Sequence, residues 1–348
     1  MKRILVFGTG DYYQKKKESI AGEIVGYVDN YKTGKFEGKN VYKVKDIETL
    51  SYDQIYIMAG ENVFADMACQ LLREGVNPEK IKFGQNILPL IGREPLYLGE
   101  DKKIIINKDN RLCYKTMFLE IAFSTYDELC GIQDIFGENT YEYFLDSSDN
   151  VVIDIGMNIG AASIFFAMRQ DVCRVYSYEP FPATYQDAVK NFTYNSVYSK
   201  KIVPINAGLS DRPGYEELLY NSSMTCGMST QKNFLSAAVD KYKNWGFYRE
   251  EKEKTAKIHL LDAGKEIEKI LAENPGKRFI LKIDCEGSEY RIFERLDELG
   301  LVGRFSIIML EWHYMGSFKL EEYLKKEAYT FFSFRKNDVM GLIYAIKK

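Results

Sequence analysis

Two stretches of the chain repeat one pattern, a short apolar run followed by a glycine turn. The first is Arg3-Ile-Leu-Val-Phe-Gly-Thr-Gly10 and the second is Val151-Val-Ile-Asp-Ile-Gly-Met-Asn-Ile-Gly160. Strand, tight turn and helix in that order open a parallel α/β unit. Two such openings in 348 residues, set against about 150 residues per domain, predict two α/β domains.

After the first opening, strands are expected at 23–29, 54–60 and 81–83, with a helix over 62–74 whose Phe64, Met67, Ala68, Leu71 and Leu72 share one face. This gives an N-terminal Rossmann-like domain over 1–91. Gly92, Pro95 and Gly99 mark a linker over 92–124. The second domain covers 125–348. It opens with an aromatic and acidic segment, 125–145, read as partly helical and placed to cover a ligand cleft. Strands follow at 151–155, 175–178, 202–205, 279–283 and 306–310, with helix-compatible stretches between them. The end, 329–334 and 339–346 around a short polar turn, reads as a hairpin, which would make the sheet mixed.

Composition limits the partners. The chain has 47 basic and 50 acidic side chains, a net charge of -3. That argues against a nucleic-acid partner, which needs a concentrated basic surface. The apolar run after Met1-Lys-Arg is far below the roughly 7–15 residues of a signal-peptide core. No stretch reaches the roughly 18 apolar residues of a membrane helix. A cytoplasmic chain with no membrane span is expected. The six cysteines are scattered without a CxxC pair and read as reduced thiols. The composition leaves a homo-oligomer open.

The second glycine turn carries more than a phosphate loop needs. In Asp154-Ile-Gly156-Met-Asn158-Ile-Gly160, Gly156 permits a sharp turn and close ligand approach, and Gly160 lets the next helix pack on the strand. Glu179 follows the next strand, placed to hold ribose hydroxyls, and Pro180 and Pro182 fix its loop. Asn206-Ala-Gly-Leu-Ser-Asp211 follows the third strand, where an adenine could sit. The fourth strand ends in Lys282-Ile-Asp284-Cys-Glu286-Gly-Ser-Glu289 and the fifth in Glu311-Trp-His313. Ligands of open α/β sheets bind outside the carboxyl ends of strands, where all of these residues are expected.

Over roughly 125–346 this succession resembles the FkbM family of S-adenosylmethionine-dependent methyltransferases. The motifs are Asp154-Ile-Gly-Met-Asn-Ile-Gly160, Glu179-Pro-Phe-Pro182, Leu261-Asp262, Leu281-Lys-Ile-Asp-Cys-Glu-Gly287 and Glu311-Trp-His313. Met157 departs from the pattern, since the family commonly has a small residue there. The resemblance implies a class I methyltransferase fold, a mixed seven-stranded sheet with its last strand antiparallel. It implies S-adenosylmethionine as cofactor. Asp154, Gly156, Asn158 and Gly160 would surround its methionine part, with Asp284 beside them. Glu179 and Pro180 would lie at the ribose, and Asn206 and Ala207 at the adenine.

Methyl transfer to a hydroxyl needs close positioning and a proton acceptor. The candidates are Asp284, Glu286, Glu311 and His313. Glu311 and His313 are two apart on one strand and so project to one side. His313 can titrate near neutrality and is read as the general base, with a purely orienting role as the alternative. The same residues also suit a divalent cation. Spacing alone does not bring them to one point, and Lys282 beside them disfavours a metal, so no metal ligand is assigned. His259, in an apolar run, reads as structural.

The first glycine turn lacks a third glycine, because Tyr13 stands there. Asp29 could hold a ribose and Lys15-Lys-Lys17 could attract phosphates. The domain resembles small Rossmann-like domains attached to sugar-modifying enzymes of bacterial surface polysaccharide pathways. The expected function is O-methylation of a small-molecule, sugar-containing acceptor, nucleotide- or lipid-linked. An NAD-dependent oxidoreductase and a non-catalytic nucleotide-sugar-binding scaffold are the alternatives.

Overall fold

A computed structural model describes residues 1–60, 63–83, 103–143, 145 and 149–347. The chain divides into two compact units, Met1–Glu138 and Asn139–Lys348.

In the first unit β1 (Arg3–Phe7), β2 (Glu23–Val28), β3 (Gly34–Phe36), β4 (Lys39–Tyr42), β5 (Gln54–Ile57) and β6 (Ile81–Phe83) form one sheet, ordered β3-β4-β2-β1-β5-β6. Neighbours run parallel, except that β3 is antiparallel to β4. Central β1 is buried from Ile4 to Phe7, as an apolar run between two parallel neighbours must be. The helix Phe64–Arg73 buries Phe64, Met67, Ala68 and Leu71, the expected face; Asn62 lies outside the described residues.

Residues 92–102 of the expected linker, with Gly92, Pro95 and Gly99, lie outside the described residues. The rest of it is not irregular. Here β7 (Lys103–Ile106), β8 (Leu112–Lys115) and β9 (Glu120–Ala122) make an antiparallel sheet. The helix Tyr126–Phe136 follows, started by a capping box. Thr125 Oγ1 accepts from the Glu128 N–H at 3.1 Å and the Glu128 carboxylate accepts from the Thr125 N–H at 3.3 Å. This helix belongs to the first compact unit.

The second unit holds β10 (Asn150–Ile155), β11 (Val172–Tyr178), β12 (Ile202–Ile205), β13 (Gly208–Ser210), β14 (Gly214–Asn221), β15 (Glu253–Asp262), β16 (Phe279–Ile283), β17 (Ile307–His313), β18 (Tyr329–Asn337) and β19 (Met340–Lys347). Seven of them form the sheet β12-β11-β10-β16-β17-β19-β18. The first five are parallel, and β19 enters antiparallel between β17 and β18. The terminal hairpin thus makes the sheet mixed, as expected, and the seven strands match those that the resemblance implies. Val151, Ile153, Leu281, Ile283, Ile308 and Leu310 lie in its core. Strand order turns back between β10 and β16, so the crevice of this sheet opens at their carboxyl ends.

A second sheet, β13-β15-β14, was not anticipated. Its two long strands, β14 and β15, carry exposed Glu and Lys, Glu217 and Lys257 among them, and so resemble solvated helix. Among the described residues no helix is long and apolar enough to cross a membrane. None of the six cysteines is in a disulfide among the described residues.

Candidate active site

The crevice is built on the glycine turn between β10 and the helix Ala161–Met168. Gly156 has φ +86° and a Cβ there would stand 1.7 Å from the Asp284 carbonyl oxygen. At Gly160, also φ +86°, a Cβ would meet the Phe192 ring at 2.6 Å. Only glycine fits either position. Met157 is buried against the turn rather than turned outwards.

Glu179, just beyond β11, is buried. Its carboxylate accepts from the Asn158 and Phe181 N–H groups, both at 3.0 Å. Burial raises its pKa from 4.5 to about 7, against the lowering effect of those two bonds. Asn206 donates Nδ2 to the Glu179 carbonyl at 2.8 Å and to the Pro180 carbonyl at 3.3 Å, which fixes the loop from behind. Ala207 is buried next to it.

Asp154 is fully buried beneath the turn. Its Oδ2 accepts from Ser163 at 2.6 Å, and its Oδ1 faces Lys282 Nζ at 3.0 Å. Lys282 in turn donates to the Gly156 carbonyl at 2.8 Å. The ammonium loses hydration on burial, but Asp154 and Asp284 raise its pKa above the ordinary value. Asp154 therefore props the turn through Lys282.

The acids and His313 do come together. One ligand atom each from Asp284, Glu286 and His313 lies within 4.8 Å of the others. Asp284 is the most open of them, 31% exposed, and both its contacts fall on Oδ2, from Tyr141 at 3.4 Å and Lys282 at 3.9 Å. Glu286 has φ +52°, and burial pushes its carboxyl up to about 8 although His313 pulls it down.

The His313 ring is 4% exposed. Nδ1 lies 3.3 Å from Glu289 Oε1; Nε2 lies 3.4 Å from Glu286 Oε1 and 3.9 Å from Glu311 Oε1. Burial alone would lower its pKa, but Glu286 and Glu289 raise it to about 10. Carboxylates thus flank both ring nitrogens and favour the charged form of the ring.

Residues 154–332 match the model of the methyltransferase FkbM domain, which is over half of the chain. The chain belongs to the FkbM methyltransferase family. It is an S-adenosylmethionine-dependent methyltransferase. Residues 1–82 match a second model, described as C2185-like, N-terminal. Among curated proteins none matches. Solved structures that resemble this methyltransferase include an FkbM methyltransferase from Methylobacillus flagellatus, at 12% identity and TM-score 0.37, covering 99% of this chain and 90% of that one. Precorrin-6y C5,15-methyltransferase from Geobacter metallireducens shows 14% identity and TM-score 0.34 over 62% and 89%. TYW2 of M. jannaschii, solved with AdoMet, shows 12% identity and TM-score 0.34 over 72% and 88%.

The turn of this FkbM methyltransferase fits its cofactor on its own geometry. Asn158 Oδ1 is buried without a hydrogen-bond partner, an acceptor suited to the amino group of the methionine part. Sequence reasoning assigned no role to Glu289. It is fully buried and accepts from the His313 N–H at 2.6 Å and the Gly287 N–H at 2.8 Å. Tyr141, which donates to Asp284, was also missed. Leu261-Asp262 proves structural: Asp262 accepts from the Lys265 N–H at 3.0 Å as a helix cap and pairs with Arg295 at 3.0 Å. His259 stacks on Tyr215 with ring centroids 4.5 Å apart.

In the first unit Asp29 is committed to its own loop. Its carboxylate accepts from Thr9 Oγ1 at 2.7 Å and from the Tyr31 and Lys32 N–H groups. Tyr13 is buried and its hydroxyl meets Tyr27 and Glu37 at 2.7 and 2.8 Å. Lys17 pairs with Glu37 at 2.7 Å.

Proposed function

We propose that this FkbM methyltransferase O-methylates a hydroxyl of a small, sugar-containing acceptor. The observation behind this reading is the wall shared by the glycine turn and the acid loop, where Gly156 touches the Asp284 backbone. A hydroxyl sheds its proton on methylation, and Asp284, Glu286 and Glu311 stand next to the cofactor turn as a proton sink. Bound S-adenosylmethionine supplies a sulfonium methyl, whose S–CH3 bond breaks, with its electron pair left on sulfur, as O–CH3 forms.

The chain's own residues bind and orient. Glu179 takes the ribose hydroxyls, Asn158 Oδ1 the amino group, and the Gly156 turn admits the methionine part. Asn206 and Ala207 border the adenine. His313, tied to Glu289, is a positioning residue that keeps the carboxylates in place. Orientation of the acceptor can contribute up to about 7–11 kcal/mol, and a carboxylate base roughly 10²–10⁴-fold. The sugar preference rests on the first unit, whose likeness is to domains attached to sugar-modifying enzymes. Its Asp29 and Tyr13 contacts favour a scaffold there over a nicotinamide site.

The test is transfer of labelled methyl from S-adenosylmethionine to a panel of free, nucleotide-linked and lipid-linked sugars, with amine acceptors alongside. Label on a sugar oxygen, reduced at least tenfold in Glu286→Gln, supports the reading. Label found only on nitrogen or carbon acceptors overturns it.

A further inference from the structure

We propose that Asp284, Glu286 and His313 form a site for a divalent cation of the Mg²⁺ or Mn²⁺ class that holds a pair of acceptor oxygens. The inference rests on reading this cluster as the acceptor side of the methyl-transfer site. An octahedral ion with bonds of about 2.1 Å sets its ligand atoms about 3 Å apart when adjacent and about 4.2 Å when opposite. The three donor atoms already lie within 4.8 Å of one another. Rotamer adjustments of less than about 1 Å close the set.

The imidazole is oriented for this task. Glu289, fully buried, is locked by the His313 and Gly287 N–H groups and presents Oε1 to Nδ1 at 3.3 Å. A carboxylate on one ring nitrogen that turns the other toward a common point is the support a metal-binding histidine requires. The Nε2 atom so directed belongs to a residue only 4% exposed and faces carboxylates. Its carboxylate neighbours stand at 3.4 and 3.9 Å, too far for the roughly 2.7–2.9 Å of a charge-assisted bond. A proton on Nε2 meets these carboxylates only at long range. A cation between Nε2 and the carboxylates bonds all of them.

Lys282 does not fill the position. Its ammonium is spent on the Gly156 carbonyl and Asp154, and it stays 3.9 Å from Asp284. The contacts of Asp284 occupy Oδ2 and leave Oδ1 for the ion. Carboxylates outnumber the imidazole and no thiolate takes part, a donor set suited to a hard ion. Open coordination positions then take two adjacent oxygens, which names the substrate class as a vicinal diol. The ion acidifies the hydroxyl, the proton passes to Glu311, and O–CH3 forms as S–CH3 breaks.

The experiment uses the full chain after chelator treatment, titrated with Mn²⁺ and followed by the electron paramagnetic resonance signal of the free ion. One Mn²⁺ per chain is expected, displaced by excess Mg²⁺. Affinity falls at least tenfold in Glu286→Gln and in His313→Gln, while calorimetric affinity for S-adenosylhomocysteine changes less than twofold. Circular dichroism checks both folds, and Glu286→Gln carries the test if His313→Gln unfolds. A wild-type chain that binds S-adenosylhomocysteine but takes up no Mn²⁺ at millimolar ion overturns the site. So does Mn²⁺ binding unchanged in Glu286→Gln. A chain that binds Mn²⁺ as expected but no S-adenosylhomocysteine sustains the ion site and contradicts the methyl-transfer reading instead.

Discussion

Gly156 and Asp284 meet backbone to backbone: a Cβ on Gly156 would sit 1.7 Å from the Asp284 carbonyl oxygen. The contact follows from the parallel register of β10 and β16, where Ile155 pairs with Ile283 and the Asp284 N–H donates to the Ile155 carbonyl at 3.0 Å. The cofactor turn and the acid loop thus leave adjacent strands at one level. What disturbs one disturbs the other.

Gly156→Ala meets both a steric clash and a positive φ. Backbone cannot move aside like a side-chain tip, so overpacking of about 1–3 kcal/mol adds to about 1–2 kcal/mol for the left-handed conformation. Thermal denaturation should show a clear fall in melting temperature, and S-adenosylhomocysteine binding should fail in whatever remains folded.

Glu179 sets a pH dependence. A carboxyl raised to about 7 from 4.5 binds its proton more tightly folded than unfolded. Its stabilising contribution is full below pH 4.5 and is lost as pH rises through about 7. Cofactor affinity runs the other way, because ribose hydroxyls donate to the ionised carboxylate. Below pH 7 the affinity should drop by up to about tenfold per pH unit. Calorimetry across this range should show the slope in the wild type and none in Glu179→Gln. Glu179→Ala should lose about 1–3 kcal/mol of cofactor binding.

Lys282 and Asp154 are both fully or almost fully buried. Removing one partner strands the other charge, at a cost of about 3–5 kcal/mol. Asp154→Ala should show this in urea denaturation, and Asp154→Ala with Lys282→Met should recover part of it. Equal stability of the single and double variants would contradict the pairing.

Glu289→Ala leaves the Gly287 and His313 N–H groups without their buried acceptor. Each orphaned donor costs about 1–3 kcal/mol. The same variant should weaken the Mn²⁺ response, because nothing then turns Nε2 toward Glu286. Unchanged stability would remove Glu289 from this role.

The glycine turn and the strand ends were legible because their signals are local. Apolar runs, a turn that only glycine fits and an acid after the next strand all sit within one α/β unit. The environment of His313 was not legible. Its partner Glu289 is 24 positions away in sequence and meets it only once β16 and β17 lie side by side. The carboxylates Glu286 and Glu289 that face its ring nitrogens come from the loop and helix after β16. The pairing of Asp154 with Lys282 is equally non-local, since it joins β10 to β16. The β14–β15 pairing was not legible because the helix Lys232–Asn244 separates the two strands in sequence and Glu216, Glu217, Lys254 and Lys257 mask their alternation.

Cofactor binding is the property on which every role assigned to the glycine turn depends. Calorimetric titration of the purified full chain with S-adenosylmethionine and S-adenosylhomocysteine, with NAD as control, should give one saturable site for each sulfur compound and none for NAD, weakened in Glu179→Ala. No binding of either at millimolar concentration, with NAD bound instead, would contradict it.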